Sequence, residues 1–270
     1  MTTPYPAADQ PAGRLHTTAL GVGPTRHVFC HGLFGQGRNW WSIARRLEPA
    51  ASLLVDLPDH GRSPWSDRFD YPAMAQAVAA ELAGLESDDL TLVGHSMGGK
   101  TAMLTALAHP GLVRRLVVVD TAPCPTPDPG LDRLLQAMLS LDTAALSSRH
   151  RAEQALTTVV HDPRTRQFLL AGYQRTPTGG GWRFNLPLLA RDLDQVMGWP
   201  APGPLPPYPG PVLWLVGGDS DRIPPQAPAR MAQLFPRHRR QVIPAAGHWV
   251  HTDQPEAFLK ALTDFMAADQ

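Results

Sequence analysis

The run Thr91-Leu-Val-Gly-His-Ser-Met-Gly-Gly-Lys-Thr101 can be read as two different machines. From Gly94 to Gly98 it is G-x-S-x-G, a serine nucleophile on a strand-to-helix elbow; from Gly94 to Thr101 it is G-x-x-x-x-G-K-T, a phosphate-binding loop. Both need a strand before and a helix after. "LTLVG" is a short apolar run, and "KTAMLTALAHP" has a helical pattern that stops at Pro110. The next apolar run, "RRLVVVD", ends in Asp120, where a magnesium-holding carboxylate would sit in the phosphate-loop reading. The motif alone does not choose.

The rest of the chain sets the context. Apolar runs recur at 27–32, 52–58, 90–94, 115–120, 212–218 and 240–247, with helical stretches between them, and "LHTTALG" is a further strand candidate before them. Strands alternating with helices predict a mostly parallel sheet flanked by helices. Between Cys124 and about Tyr208 no strand-like run appears, only helical pieces such as "GLDRLLQAML" and "DPRTRQFLLAGYQR", closed by the connector "PAPGPLPPYPGP". The expected organisation is an α/β core over 1–123 and 209–270 with a helical cap insertion over 124–208, above the strand ends where open sheets bind ligands.

Composition narrows the function classes. The 270 residues are 43% hydrophobic and 18% charged, enough for a sizeable core, and 24 basic against 24 acidic residues leave no field to attract nucleic acid. Cys30 and Cys124 cannot build a disulfide framework or a metal site. The N-terminal stretch "MTTPYPAADQPAGRL" has no basic region followed by an apolar one, and no window approaches a membrane span. The expectation is a cytoplasmic protein without membrane insertion, nucleic-acid partner, metal or cofactor.

A phosphate-binding loop predicts nothing special elsewhere, whereas a serine nucleophile predicts an upstream loop of backbone N–H donors, a late histidine and an acid before it. Each has a candidate: "HGLFGQGRNW" after the first central run, "GHWVHTDQPEAF" after the last, and aspartates between. These segments, with "DLPDHGRS", "GHSMGGK", "VVVDTAP" and "GGDSDRIPP" in that order, resemble the α/β-hydrolase fold, more narrowly its small bacterial acyl-esterase branch related to abhydrolase-domain proteins. The likeness spans nearly the whole chain outside the insertion. It implies a serine carboxylesterase acting on a small-molecule ester of short to medium acyl length through an acyl-enzyme. A thioesterase or a C–C bond hydrolase is the alternative on the same residues, and a nucleotide-binding phosphate-loop protein a distant one.

In that reading Ser96 is the nucleophile, and His248 the base that takes its proton and returns it to the leaving alcohol. Met97 gives one backbone N–H to the oxyanion, and Leu33 or Phe34 the other, in a loop shaped by His31 and Gly32. Two acids compete to orient His248. Asp221, in "GGDSDR", occupies the position most α/β-hydrolases use; Asp120 ends the strand from which the resembling esterase branch draws its acid, and is preferred on that likeness. Asp219 is a turn former. Asp56, His60, Gly61 and Ser63 support the floor of the site, and Lys100 and Thr101 belong to the first turn of the elbow helix. His31, His95, Trp182, Phe184, Asn185 and Trp249 are the candidates for the substrate pocket, although an aromatic pair spaced like Trp182 and Phe184 serves equally well as internal packing.

Overall fold

Strand-forming runs that are buried on both faces must stack side by side under helices, and this is how the chain folds. The computed structural model describes residues 13–142, 146–177, 179–200 and 205–268; most of the N-terminal stretch and part of the Pro-rich connector lie outside them. In chain order the strands are β1 (Thr17–Leu20), β2 (Val22–Cys30), β3 (Ala50–Val55), β4 (Thr91–His95), β5 (Arg115–Val119), β6 (Tyr173–Thr176), β7 (Gly179–Trp182), β8 (Val212–Gly217) and β9 (His238–Ile243). Seven form one sheet in the order β1-β3-β2-β4-β5-β8-β9. Only β1 runs antiparallel within it, paired with β3.

Alternation along the central strands sends side chains to two cores. Val28, Leu92, Leu116, Val118 and Trp214 face the helices Tyr71–Ala83, Met97–Ala108 and Ala227–Leu234. Phe29, Val93, Val117, Val119 and Leu213 face Trp40, Ile43 and the C-terminal helix Pro255–Ala267. The central helix Met97–Ala108 is buried on every side, which explains its lack of a polar stripe. Its threonines satisfy themselves on their own backbone: Thr101 Oγ1 donates to Met97 O at 3.0 Å and Thr105 Oγ1 to Thr101 O at 2.9 Å. Because the six parallel strands point one way, the loops after β2, β3, β4, β5, β8 and β9 gather at one edge, and every candidate catalytic residue lies on one of them.

The expectation of a strand-free stretch between β5 and β8 needs correction. Five helices fill most of it, Leu131–Leu139, Arg149–Thr157, Pro163–Ala171, Leu186–Arg191 and Leu193–Met197, but β6 and β7 form an antiparallel hairpin between them. The pairing joins Tyr173 to Trp182, and Tyr173 Oη donates to Leu146 O at 2.7 Å. Gly180 packs so close that a Cβ there would lie 2.1 Å from Leu146 O. A three-glycine strand has no apolar alternation to betray it; contacts with a distant residue hold it in place. No helix among the described residues is long and apolar enough to cross a membrane.

Candidate active site

β4 runs into helix Met97–Ala108 through Ser96, whose backbone sits at φ 52° and ψ −117°, a conformation an L side chain rarely adopts. The turn is possible because its neighbours are glycines: a Cβ on Gly94 would lie 2.2 Å from Gly98 O, and one on Gly98 would lie 2.3 Å from His31 O. Ser96 N donates to Val119 O at 3.0 Å, which ties the bend to β5.

His248 reaches this serine from the loop after β9, with Nε2 3.0 Å from Ser96 Oγ. On its other side, Nδ1 lies 2.7 Å from Asp120 Oδ2. Asp120 is wholly buried at the end of β5, and its carboxylate also accepts from Gly217 N at 3.0 Å and from Ser220 Oγ. The chain of contacts therefore runs serine, imidazole, carboxylate, the order in which a hydroxyl is deprotonated by a base held in one tautomer. Asp221 takes no part: its side chain is fully exposed, with Arg222 Nε at 3.8 Å. Asp219 forms a turn, its N–H bonded to Ala246 O at 2.9 Å.

The upstream loop is shaped by two neutral imidazoles. Burial lowers the pKa of His31 to about 3 and also lowers that of His60. His31 Nδ1 donates to Gly32 O at 2.8 Å while Nε2 accepts from Leu57 N at 3.0 Å. His60 Nδ1 donates to Pro58 O at 3.0 Å, and its Nε2 accepts the Phe34 amide at 3.2 Å. The Phe34 N–H is thus committed to His60, so of the two expected upstream donors only Leu33 keeps its amide for an oxyanion. Leu33 and Met97 line the same cavity as Ser96 and His248. Asp56 supports the floor by accepting from Gly37 N at 2.6 Å and Arg62 N at 2.9 Å. Ser63 Oγ donates back to Asp56 O at 2.5 Å. Gly61 is required at its position: it has φ 62°, and a Cβ there would lie 2.1 Å from Asp56 Oδ2.

His95 is buried, and desolvation first, then the neighbouring His248, holds its pKa well below the usual imidazole range. Its Nε2 donates to His248 O at 2.8 Å, so the residue before the serine fixes the backbone of His248. The cavity over Ser96, about 340 Å³, is roofed by Leu131, Leu134, Phe168, Leu169, Val196 and Met197 from the segment between β5 and β8. None of these was picked out in the sequence; their only signal there is the apolar spacing of amphipathic helices, shared with residues that face inward. Trp249 and His95 line the cavity as expected. Trp182, Phe184 and Asn185 do not. Trp182 stacks on Phe184 at 5.7 Å inside the segment, while Phe184 packs on Phe34 at 5.0 Å and Asn185 Nδ2 donates to Asp59 Oδ1 at 3.0 Å, so the last two join the segment to the core. His31 also misses this cavity and borders a neighbouring one.

The phosphate-loop reading fails on Lys100. Its side chain is 2% exposed, with Nζ donating to Met197 O at 2.9 Å and Gly198 O at 2.7 Å, and desolvation pulls its pKa down to about 7. A lysine turned away from the loop amides into two carbonyls holds no phosphate.

Fold and sequence likeness agree. The chain belongs to the alpha/beta hydrolase fold family, whose pattern matches residues 28–255, and it is a hydrolase. It is similar to the sn-1-specific diacylglycerol lipase ABHD11 of Mus musculus, 40% identical over 248 residues that cover 89% of this chain and 80% of the relative. It is also similar to the esterase YbfF of Escherichia coli strain K12, 34% identical, covering 88% of this chain and 92% of the relative. Among solved structures a marine microorganism esterase superposes with TM-score 0.87 at 32% identity, covering 93% of this chain and 99% of the other.

Proposed function

We propose that the chain is a serine carboxylesterase. The observation that carries this reading is the contact chain Ser96 Oγ, His248 Nε2, His248 Nδ1 and Asp120 Oδ2, at 3.0 and 2.7 Å, opening on an apolar cavity. Ser96 attacks the ester carbonyl as His248 takes its proton; Asp120 holds the imidazole with Nδ1 protonated and stabilises the imidazolium. The amides of Leu33 and Met97 receive the oxyanion, the latter at a helix N-terminus whose dipole favours negative charge. His248 then protonates the departing alcohol oxygen, and water repeats the sequence to free the acid. The segment between β5 and β8 is the cap, excluding water and setting chain length. The cavity of about 340 Å³ under its apolar roof supports a short to medium acyl chain. The lipase and esterase named above support an ester over a thioester or a C–C bond.

The test is hydrolysis of p-nitrophenyl butyrate beside its thioester analogue, together with labelling by a fluorophosphonate. We expect ester turnover and a covalent adduct on Ser96, both lost in Ser96→Ala. No turnover and no adduct would overturn the proposal.

A further inference from the structure

The cavity over Ser96 shares a wall with a second one of about 440 Å³. His95, Phe168 and Trp249 line both, and the Phe168 and Trp249 rings, 5.2 Å apart and tilted by 41°, stand between them. The second cavity is also lined by Trp40, His251, Gln167 and Thr252 and by the loop residues His31 and Gly32. Two tryptophans and a phenylalanine make it largely apolar.

One polar group in this wall has no partner. His251 is 7% exposed and stacks on Trp40 at 4.1 Å between ring centroids. Its Nδ1 is buried without a hydrogen bond, and its ring makes none to any described residue. Burial, then His248, lowers its pKa to about 3, so it is a neutral imidazole with one donor and one acceptor unused. Nδ1 itself has no accessible surface, so the hydrogen-bonding position the ring can offer a ligand is Nε2.

The direction of the reaction says which half of a substrate belongs here. When the tetrahedral intermediate collapses, the C–O bond to the alcohol breaks, its electron pair stays on the alcohol oxygen, and the proton on His248 Nε2 moves to that oxygen. The leaving oxygen must therefore lie against His248, and the rest of the alcohol continues along what borders His248. His248 itself lines the first cavity; the second begins beyond it, walled by Trp249, His251 and Thr252 and by His95, whose ring lies 4.6 Å from that of His248. We infer that this cavity is the leaving-group subsite, and that the substrates are esters of a bulky, mostly apolar alcohol carrying a hydroxyl or carbonyl within reach of His251. This rests on the esterase reading above. Phe168 and Trp249 are then the gate between acyl and alcohol halves.

Two measurements test it, one independent of catalysis. In calorimetry, 2-naphthol should bind Ser96→Ala, and adding Thr252→Trp, which fills the cavity from an exposed position, should weaken binding by about tenfold or more. In kinetics, Thr252→Trp and Gln167→Trp should each lower kcat/KM for 2-naphthyl butyrate by about tenfold while changing methyl butyrate by no more than about twofold. Gln167 is likewise exposed, so a folding failure in one variant is checked by the other. Naphthol binding unaffected by the tryptophan, equal losses on both esters, or a penalty that follows acyl length would each overturn the inference. Should wild type hydrolyse no ester, the esterase reading falls, and the calorimetry still decides whether the cavity takes an apolar alcohol.

Discussion

Replacing Ser96 by glycine should make the folded protein more stable than replacing it by alanine, the reverse of the usual order. Both variants lose the hydroxyl and its 3.0 Å contact with His248, so their difference isolates the backbone. At φ 52° and ψ −117° the Cβ is strained, a condition that costs about 1–3 kcal/mol in a residue other than glycine. Alanine keeps that Cβ; glycine releases it but loses about 0.5–1 kcal/mol through the greater freedom of its unfolded chain. The balance favours glycine by about 1 kcal/mol, or about 2–4 °C in Tm for a domain of this size. Urea denaturation of the two variants, with equal m-values as the check for a common unfolded state, measures it. An alanine variant as stable as the glycine variant, or more so, would refute the idea that the elbow stores strain.

Asp120→Asn should lower kcat by about 10⁴, by analogy with serine proteases, while Asp221→Asn leaves it within about twofold. Steady-state kinetics on p-nitrophenyl butyrate reads both, and collapse in Asp221→Asn would reverse the assignment. Lys100→Met should destabilise by about 1–3 kcal/mol because the carbonyls of Met197 and Gly198 lose their donor, with ATP binding undetectable in either protein by calorimetry. Acid should weaken the fold through His31 and His251, whose folded pKa values of about 3 lie below the ordinary imidazole value of 6.5. The unfolded chain binds those protons first, so stability falls as pH drops from 6.5 towards about 3. The urea midpoint between pH 6 and 4 should therefore fall less steeply in His251→Phe, and an unchanged slope would contradict the burial argument.

The candidate site's serine and histidine were legible because their signals are local. G-x-S-x-G names its serine through the glycines that a tight bend requires, and His248 stands out by following the last apolar run. The two acids were harder to separate. Asp120 and Asp221 both follow strand ends at one sheet edge, and only the exposure of the second and the burial of the first distinguish them. Of the cavity walls, His95 and Trp249 were legible beside the serine and histidine motifs, and the residues of the segment were not. Trp182, Phe184 and Asn185 look like pocket residues because aromatics often are, yet which face of the segment meets Ser96 depends on how its helices pack. The Phe34 amide was misjudged for a related reason: its acceptor, His60, lies 26 positions away on another loop.

Lys100 gives the segment above the site a fixed pivot. Its two bonds to Met197 O and Gly198 O are joined at the same end by Tyr71 Oη on Val196 O and by the Thr126 amide on Met197 O, all of them buried or half-buried. The segment is also fastened by two ion pairs, Arg222 to Asp128 and Arg164 to Asp253. The first pair is about a quarter exposed on both sides, and in the second the arginine is 64% exposed. Charges open to water are shielded by dissolved ions, whereas bonds sealed in the interior are not. Added salt should therefore weaken the two ion pairs and leave the Lys100 bonds nearly unchanged.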